Sequence, residues 1–261
     1  MSQNVGNLFI AAQVGGDIGA AAAQVLAIPD LGTQIQAGLG ISVDDVTASE
    51  VTLVTLLVDD SGSIDAAGNE QVVRAGCNAI MDALGNSKQV DGVLISIRYL
   101  GGTVLTPYVP LGQAPRLDQS NYRVNGGTPL YDQSMVICGQ VIAKRQQFTD
   151  GGVACRAVTA IITDGADVSS RRNTASDVAK VISDMRLTEA HIVIGMGIDD
   201  GGSTDFRRIF ASMGIDPKWV LTPSNNPSEI RQAFAVVSQS AVRASQGATG
   251  FSRAAGAGFT A

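Results

Sequence analysis

From about residue 51 onward, apolar residues in this 261-residue chain alternate between two rhythms. "VTLVTLLV" (51–58) is an unbroken Val, Leu and Thr run, the pattern of a strand buried on both faces. "NEQVVRAGCNAIMDAL" (69–84) follows, with Val73, Cys77, Ile80, Met81 and Leu84 at helical spacing. "GVLISIRYL" and "TVLTPYVPL" flank Gly101-Gly102 and read as a hairpin. "PLYDQSMVICGQVIAKRQQF" (129–148) predicts a long helix with Thr128 as N-cap and Pro129 in the first helical position. "RAVTAIITDG" (156–165) repeats the buried-strand pattern. Beyond it come a helix over 174–187, a strand over 190–198, a helix capped by Ser203 or Thr204, a short strand over 218–223 and a closing helix over 226–244.

Strands separated by helices of this length imply an α/β, Rossmann-like doubly wound fold. The central sheet is mainly parallel, with one antiparallel edge strand from the hairpin and helices on both faces. In such sheets ligands sit beyond the carboxyl ends of the strands. Residues 51–245 form this unit. Residues 1–50 read as a partly helical, acidic N-terminal extension, rich in Ala, Gly and Gln, with a helix around Asp17 to Ile28. Residues 246–261 read as a flexible small-residue tail.

Charge changes the picture in two ways. The net charge of −6 argues against nucleic acid as the main partner, because phosphate binding needs a basic face. The charge is also uneven, since no Lys or Arg precedes Arg74 while nine acids do. The start of the chain lacks the basic residues of a secretory signal, and no apolar run approaches the roughly 20 residues that span a bilayer. Cys77, Cys138 and Cys155 are odd in number, widely spaced and set among apolar neighbours. They read as buried thiols in a reducing compartment. The expectation is a cytoplasmic protein that makes no membrane contact.

Both central strands end in oxygen-bearing residues. "DDSGS" follows the first, "TDGAD" (163–167) follows the second, and "NGGTP" (125–129) precedes the long helix. Asp59, Ser61 and Ser63 alternate, so a tight turn around Gly62 aims their oxygens at one point. Thr128 adds a hydroxyl at a helix start, and Asp164 adds a second carboxylate. Two carboxylates and three hydroxyls form a hard, all-oxygen donor set, suited to Mg²⁺, Mn²⁺ or Ca²⁺ and poor for zinc.

Asp59-x-Ser61-x-Ser63, Thr128 in "GGTPLYD" and Asp164 in "ITDG" resemble, in order and spacing, the metal-ion-dependent adhesion site (MIDAS) of von Willebrand factor type A domains. The resemblance covers roughly residues 51–245. It implies that Ser61, Ser63 and Thr128 hold the ion through their hydroxyls and that Asp59 and Asp164 act more through bound waters. It also implies an open position on the ion for an Asp or Glu of a partner protein. Free-standing domains of this kind resemble bacterial or archaeal proteins working beside AAA+ ATPases or in stress and conflict systems. The expected function is therefore a metal-dependent protein-binding module, an adaptor rather than an enzyme.

Two other functions use the same residues. One is a self-associating structural protein in which the acidic N-terminal region of one copy engages the site of another. The second is an Mg²⁺-dependent phosphatase or hydrolase. Phosphatases of the haloacid-dehalogenase type place a second aspartate two residues after the first, where this chain has Ser61. His191, the only histidine, opens a predicted strand and reads as structural. Asp44-Asp45 read as a solvated turn. Arg156, Arg171 and Arg172 read as surface residues, the last two placed to meet a partner.

Overall fold

The computed structural model describes residues 4–188, 190–199 and 201–246. One sheet contains β1 (Glu50–Val58), β2 (Val93–Tyr99), β3 (Val104–Pro110), β4 (Ala154–Thr163), β5 (His191–Gly197) and β6 (Val220–Leu221), in the order β3-β2-β1-β4-β5-β6. β2 and β3 pair antiparallel and every other neighbour pairs parallel. The architecture is therefore the doubly wound α/β sheet with one antiparallel edge strand that the periodicity predicts. β1 and β4 lie at its centre, and their residues are buried except at the entry ends. That double-sided burial is why both read as continuous apolar runs.

The crossovers place α5 (Glu70–Gly85) on one face and α6 (Leu130–Asp150) and α7 (Ala175–Leu187) on the other, as the usual right-handed connection requires for this strand order. α4 (Gly62–Ala66) is a single turn after β1, and α8 (Phe206–Ser212) packs on β5. α9 (Pro227–Gln246) returns to lie against α5. The two approach closely because Gly76 lacks a side chain: a Cβ there would lie 2.2 Å from Phe234 Cδ2.

Residues before the sheet fold as α1 (Val5–Val14), α2 (Ala20–Leu26) and α3 (Pro29–Gly38). The sequence signalled a helix only around the second of these. α1 packs on α6, α2 on α7, and α3 on both α6 and β3. Leu8, Phe9, Ala12, Ala22, Leu26, Leu31 and Ile35 are buried in the same apolar core as the sheet. A Cβ on Gly139 would lie 2.5 Å from Ile35 Cδ1, so α3 sits directly on the backbone of α6. After α3 the chain turns at Gly40, whose φ of +64° favours glycine, and a Cβ there would strike the Tyr108 carbonyl oxygen at 1.9 Å.

Two buried cations anchor this segment. Arg98 Nη2 donates to the Gln34 carbonyl at 2.8 Å, and Lys144 Nζ donates to the Ile41 carbonyl and to Gln147 Oε1 at 3.2 Å. Burial pulls the pKa of Arg98 down to about 10 and that of Lys144 down to about 8. Carbonyls of the N-terminal segment thus replace water around groups that would otherwise be costly to bury. Ion pairs join Asp17 to Arg145, Asp30 to Arg172 at 2.9 Å, and Glu50 to Arg156 at 3.5 Å. The uneven charge of the sequence is partly matched within the chain. Arg156 is accordingly more shielded than a surface residue, and Asp44 and Asp45 stand out in solvent in a 3-10 turn.

Several local features differ from the sequence reading. α8 is capped by Asp205, whose carboxylate accepts from Arg208 N at 3.0 Å, not by Ser203 or Thr204. The last strand shrinks to two residues because a 3-10 turn, Pro217–Trp219, occupies its start. From residue 247 the C-terminal tail lies outside the described residues. All three cysteines are buried free thiols, pushed up to about 12 by burial. His191 is buried at the start of β5, and burial, aided by the charge of Arg145, pulls its pKa down to about 3.

Candidate metal centre

The strand order reverses between β1 and β4, so their connections leave in opposite directions and a crevice opens at their carboxyl ends. Asp59 and Asp164 follow these two strands. Asp59 is fully buried. Its Oδ1 accepts from Ser61 N at 2.8 Å, and its Oδ2 accepts from Thr163 Oγ1 at 2.6 Å and from Asp164 N at 3.4 Å. The Tyr122 hydroxyl donates to the Asp59 carbonyl, and its ring lies 5.4 Å from that of Tyr99. Every oxygen of Asp59 is therefore held by a donor from a different piece of chain.

The turn after Asp59 runs directly into α4, which was not foreseen as a helix. Ser61 Oγ and Ser63 Oγ lie 2.8 Å apart, and Ser63 Oγ donates to Asp164 Oδ1 at 2.7 Å. This turn is zipped to the glycine loop before α6: Gly126 N donates to the Asp60 carbonyl at 3.0 Å and Gly62 N to the Gly126 carbonyl at 3.3 Å. Asp60 itself points away from the hydroxyl row, and its Oδ1 accepts from Gly101 N at 2.6 Å. Burial raises its pKa, with the Gly101 amide opposing and the charge of Asp59 adding.

Thr128 is buried, and a Cβ on Gly165 would lie 3.6 Å from its Oγ1, which puts this hydroxyl beside the residue after Asp164. It is not the N-cap of the long helix. α6 begins at Leu130, with Pro129 as the flanking residue and no capping bond from the Pro129 side chain. Two residues from the loop after β4 satisfy the first amides: Tyr131 N donates to Asp167 Oδ1 at 3.2 Å and Asp132 N to Ser170 Oγ at 3.0 Å. Capping from elsewhere leaves the Thr128 hydroxyl available to the site.

The donor set suits a small hard cation. Neighbouring oxygens around an octahedral Mg²⁺, with bonds of about 2.0–2.1 Å, are about 2.9 Å apart. The Ser61–Ser63 separation of 2.8 Å matches such an edge, and Asp164 Oδ1 lies 2.7 Å from Ser63 Oγ beside it. Among the described residues no three His, Cys, Asp or Glu side chains converge. Any cation here would rest largely on hydroxyl groups. The sequence did not point to Tyr122, Thr163, Asp132, Asp167 or Ser170. Of these, Thr163 and Asp167 bound the "TDGAD" stretch and Asp132 closes "GGTPLYD", but the sequence assigned none of them a role.

No protein-family model matches the sequence, and no curated protein matches it either. Solved structures do match. The pilus adhesin SpaC from Lactobacillus rhamnosus GG superposes with a TM-score of 0.55 at 14% identity, over 74% of this chain and 30% of that one. Proximal thread matrix protein 1 from the mussel byssus, with a zinc-occupied MIDAS motif, gives 0.51 at 15% identity, over 74% and 46%. This chain therefore spans less than half the length of either protein. The vWF domain of the type V pili tip protein Mfa5 from Porphyromonas gingivalis gives 0.50 at 9% identity, over 78% of this chain and 99% of that domain. Identities this low speak to architecture alone, and on that ground the chain has the fold of a von Willebrand factor type A domain.

Proposed function

We propose that the chain is a metal-dependent protein-binding module. The observation that carries this reading is the convergence of the Ser61 and Ser63 hydroxyls with the Asp164 carboxylate, each within 2.8 Å of the next, beside buried Asp59. In the proposal Ser61, Ser63 and Thr128 ligate a divalent cation directly, and Asp59 and Asp164 hold it more through water. Mg²⁺ is the preferred occupant by donor chemistry, with Mn²⁺ and Ca²⁺ as alternatives. Such a cation, when bound, supplies a positive centre with a position open to an outside carboxylate. The zinc named for the byssus protein makes zinc a necessary competitor in any test.

The partner is then a protein that offers an Asp or Glu. An adaptor role beside an AAA+ ATPase belongs to this proposal. A second copy of the chain is another source of the carboxylate, because Asp44 and Asp45 are exposed while Asp17 and Asp30 are committed to Arg145 and Arg172. Binding is favoured over catalysis because the only histidine is buried in β5 and held neutral. A reducing, cytoplasmic setting is proposed on the three unpaired buried thiols. No described helix is long and apolar enough to cross a membrane.

The test is calorimetry with Mg²⁺, Mn²⁺, Ca²⁺ and Zn²⁺ on the wild type and on Asp59→Ala, Ser61→Ala and Asp164→Ala. One ion per chain that Asp59→Ala and Asp164→Ala abolish, and that Ser61→Ala weakens, supports the site. Unchanged binding in all three variants would place the metal elsewhere. Thr128→Ala separates holding the ion from using it. Water can replace one neutral ligand, so Mg²⁺ affinity should fall mildly, while partner affinity should fall at least about tenfold, or about 1.4 kcal/mol.

A further inference from the structure

Asp132 lies in the first turn of α6, four residues after Thr128, and takes no part in the hydroxyl row. Its carboxylate is nonetheless densely bonded. Oδ2 accepts from Arg171 N at 2.8 Å, while Oδ1 accepts from Arg172 N at 3.2 Å, Asn173 N at 2.8 Å and Asn173 Nδ2 at 2.9 Å. All four donors belong to the loop that leaves Asp164. The loop answers in kind: Asp167 and Ser170 cap the Tyr131 and Asp132 amides, and the Ser170 hydroxyl donates to Asp167 Oδ1 at 2.5 Å. Val168 N closes the set by donating to the Thr128 carbonyl at 3.1 Å.

These bonds join two pieces of chain that are not neighbours in sequence, the helix start with Thr128 and the loop with Asp164. A carboxylate with four N–H donors is a strong fastening, because hydrogen bonds to charged groups are shorter and firmer than neutral ones. It also lies at the amino end of a helix, where the peptide dipoles favour negative charge. The Asp132 carboxylate accepts four of the seven bonds that tie the loop to the start of α6. The Arg172–Asp30 ion pair is half-exposed, and Val168 is 77% exposed and makes no core contact.

We propose that Asp132 is a positioning residue of the metal centre, fixing the distance between the Thr128 hydroxyl and the Asp164 carboxylate without touching the ion. The proposal rests on the reading of Asp59, Ser61, Ser63, Thr128 and Asp164 as metal ligands. Without Asp132 the loop loses its four-donor anchor, and Asp164 must be ordered by the ion itself at a cost in affinity. Asp132→Asn can keep the three bonds now made by Oδ1 but loses the one from Arg171 N, against which it would set an NH₂ group, and it loses the charge.

The test compares wild type, Asp132→Ala, Asp132→Asn and Asp177→Ala as full chains. Asp177→Ala removes the capping box at the start of α7, just beyond the same loop, with no bond to either metal element. It serves as a control for loss of stability alone. Mg²⁺ and Mn²⁺ affinity are read by calorimetry well below each melting temperature, and hydrogen exchange of the 163–173 amides is read without metal. Asp132→Ala should lose at least tenfold in affinity for both ions and exchange faster in 163–173, Asp132→Asn should fall between, and Asp177→Ala should stay within twofold of wild type. The positioning role is overturned if Asp132→Ala binds within twofold of wild type, or if Asp177→Ala loses as much. A wild type that binds neither ion, or binds them as well with Asp59→Ala, overturns the metal reading and the positioning role with it. The two failures are therefore distinguishable.

Discussion

Ile35 tests whether the N-terminal helices are part of the folded core. Its side chain is fully buried, with Cδ1 against Gly139 on the long helix α6. Ile10, on the first helix, has the same chemistry but is 62% exposed. Truncating a buried Ile to Ala removes about three carbons from a packed interior and leaves a cavity, which costs about 2–5 kcal/mol. A domain of this size loses about 2–4 °C of melting temperature per kcal/mol, so Ile35→Ala should melt about 4–20 °C below the wild type. Ile10→Ala should change stability by no more than about 0.5 kcal/mol. Urea unfolding followed by circular dichroism measures both variants, with the m-value checked for constancy. If Ile35→Ala and Ile10→Ala cost the same, the N-terminal segment does not dock on α6 in solution. A two-step transition in the wild type would contradict the single core in a different way, by showing that the segment unfolds first.

Two further outcomes follow from named groups. Saturating Mg²⁺ should raise stability by RT ln(1 + [L]/Kd), about 1–3 kcal/mol, because the core folds without the ion; wholesale unfolding in EDTA, seen by circular dichroism, would contradict this. His191 should make the protein acid-sensitive. Its pKa is about 3 when folded and about 6.5 when unfolded, so the unfolded chain binds the extra proton and stability falls as pH drops below about 6.5. Between pH 6.5 and 5 the loss should be about 1–2 kcal/mol. His191→Gln should flatten it in denaturant titrations, and an unchanged slope would refute the assignment. The raised pKa of Asp60 acts in the opposite sense at lower pH, so the wild type and the variant must be compared directly.

The parts of this fold that were legible in sequence are those with one strong local cause. β1 and β4 are buried on both faces, so their residues are almost all apolar and mark themselves as central strands. That Asp59 and Asp164 end neighbouring strands was legible because each follows a buried apolar run, and Ser61 and Ser63 follow Asp59 at short spacing. The N-terminal helices were not, because Ala, Gly and Gln give no charged face to set against the buried one. Their docking depends on partners far along the chain, namely Gly139, Arg98 and Lys144. The start of α6 was misplaced for the same reason. Local rules favour Thr128 as cap, but Asp167 and Ser170, 36 and 38 residues beyond the amides they accept from, do the capping. A local rule cannot see a donor or acceptor delivered by tertiary structure.

If the proposal holds, Ser61, Ser63 and Thr128, with Asp59 and Asp164 behind them, hold a divalent cation. Anomalous diffraction from Mn²⁺-soaked crystals of the full chain tests it most directly. One strong peak per chain is expected within about 2.3 Å of the Ser61, Ser63 and Thr128 hydroxyl oxygens, and it should vanish in Asp59→Ala. A peak elsewhere, or none at this strand edge at millimolar Mn²⁺, would contradict it.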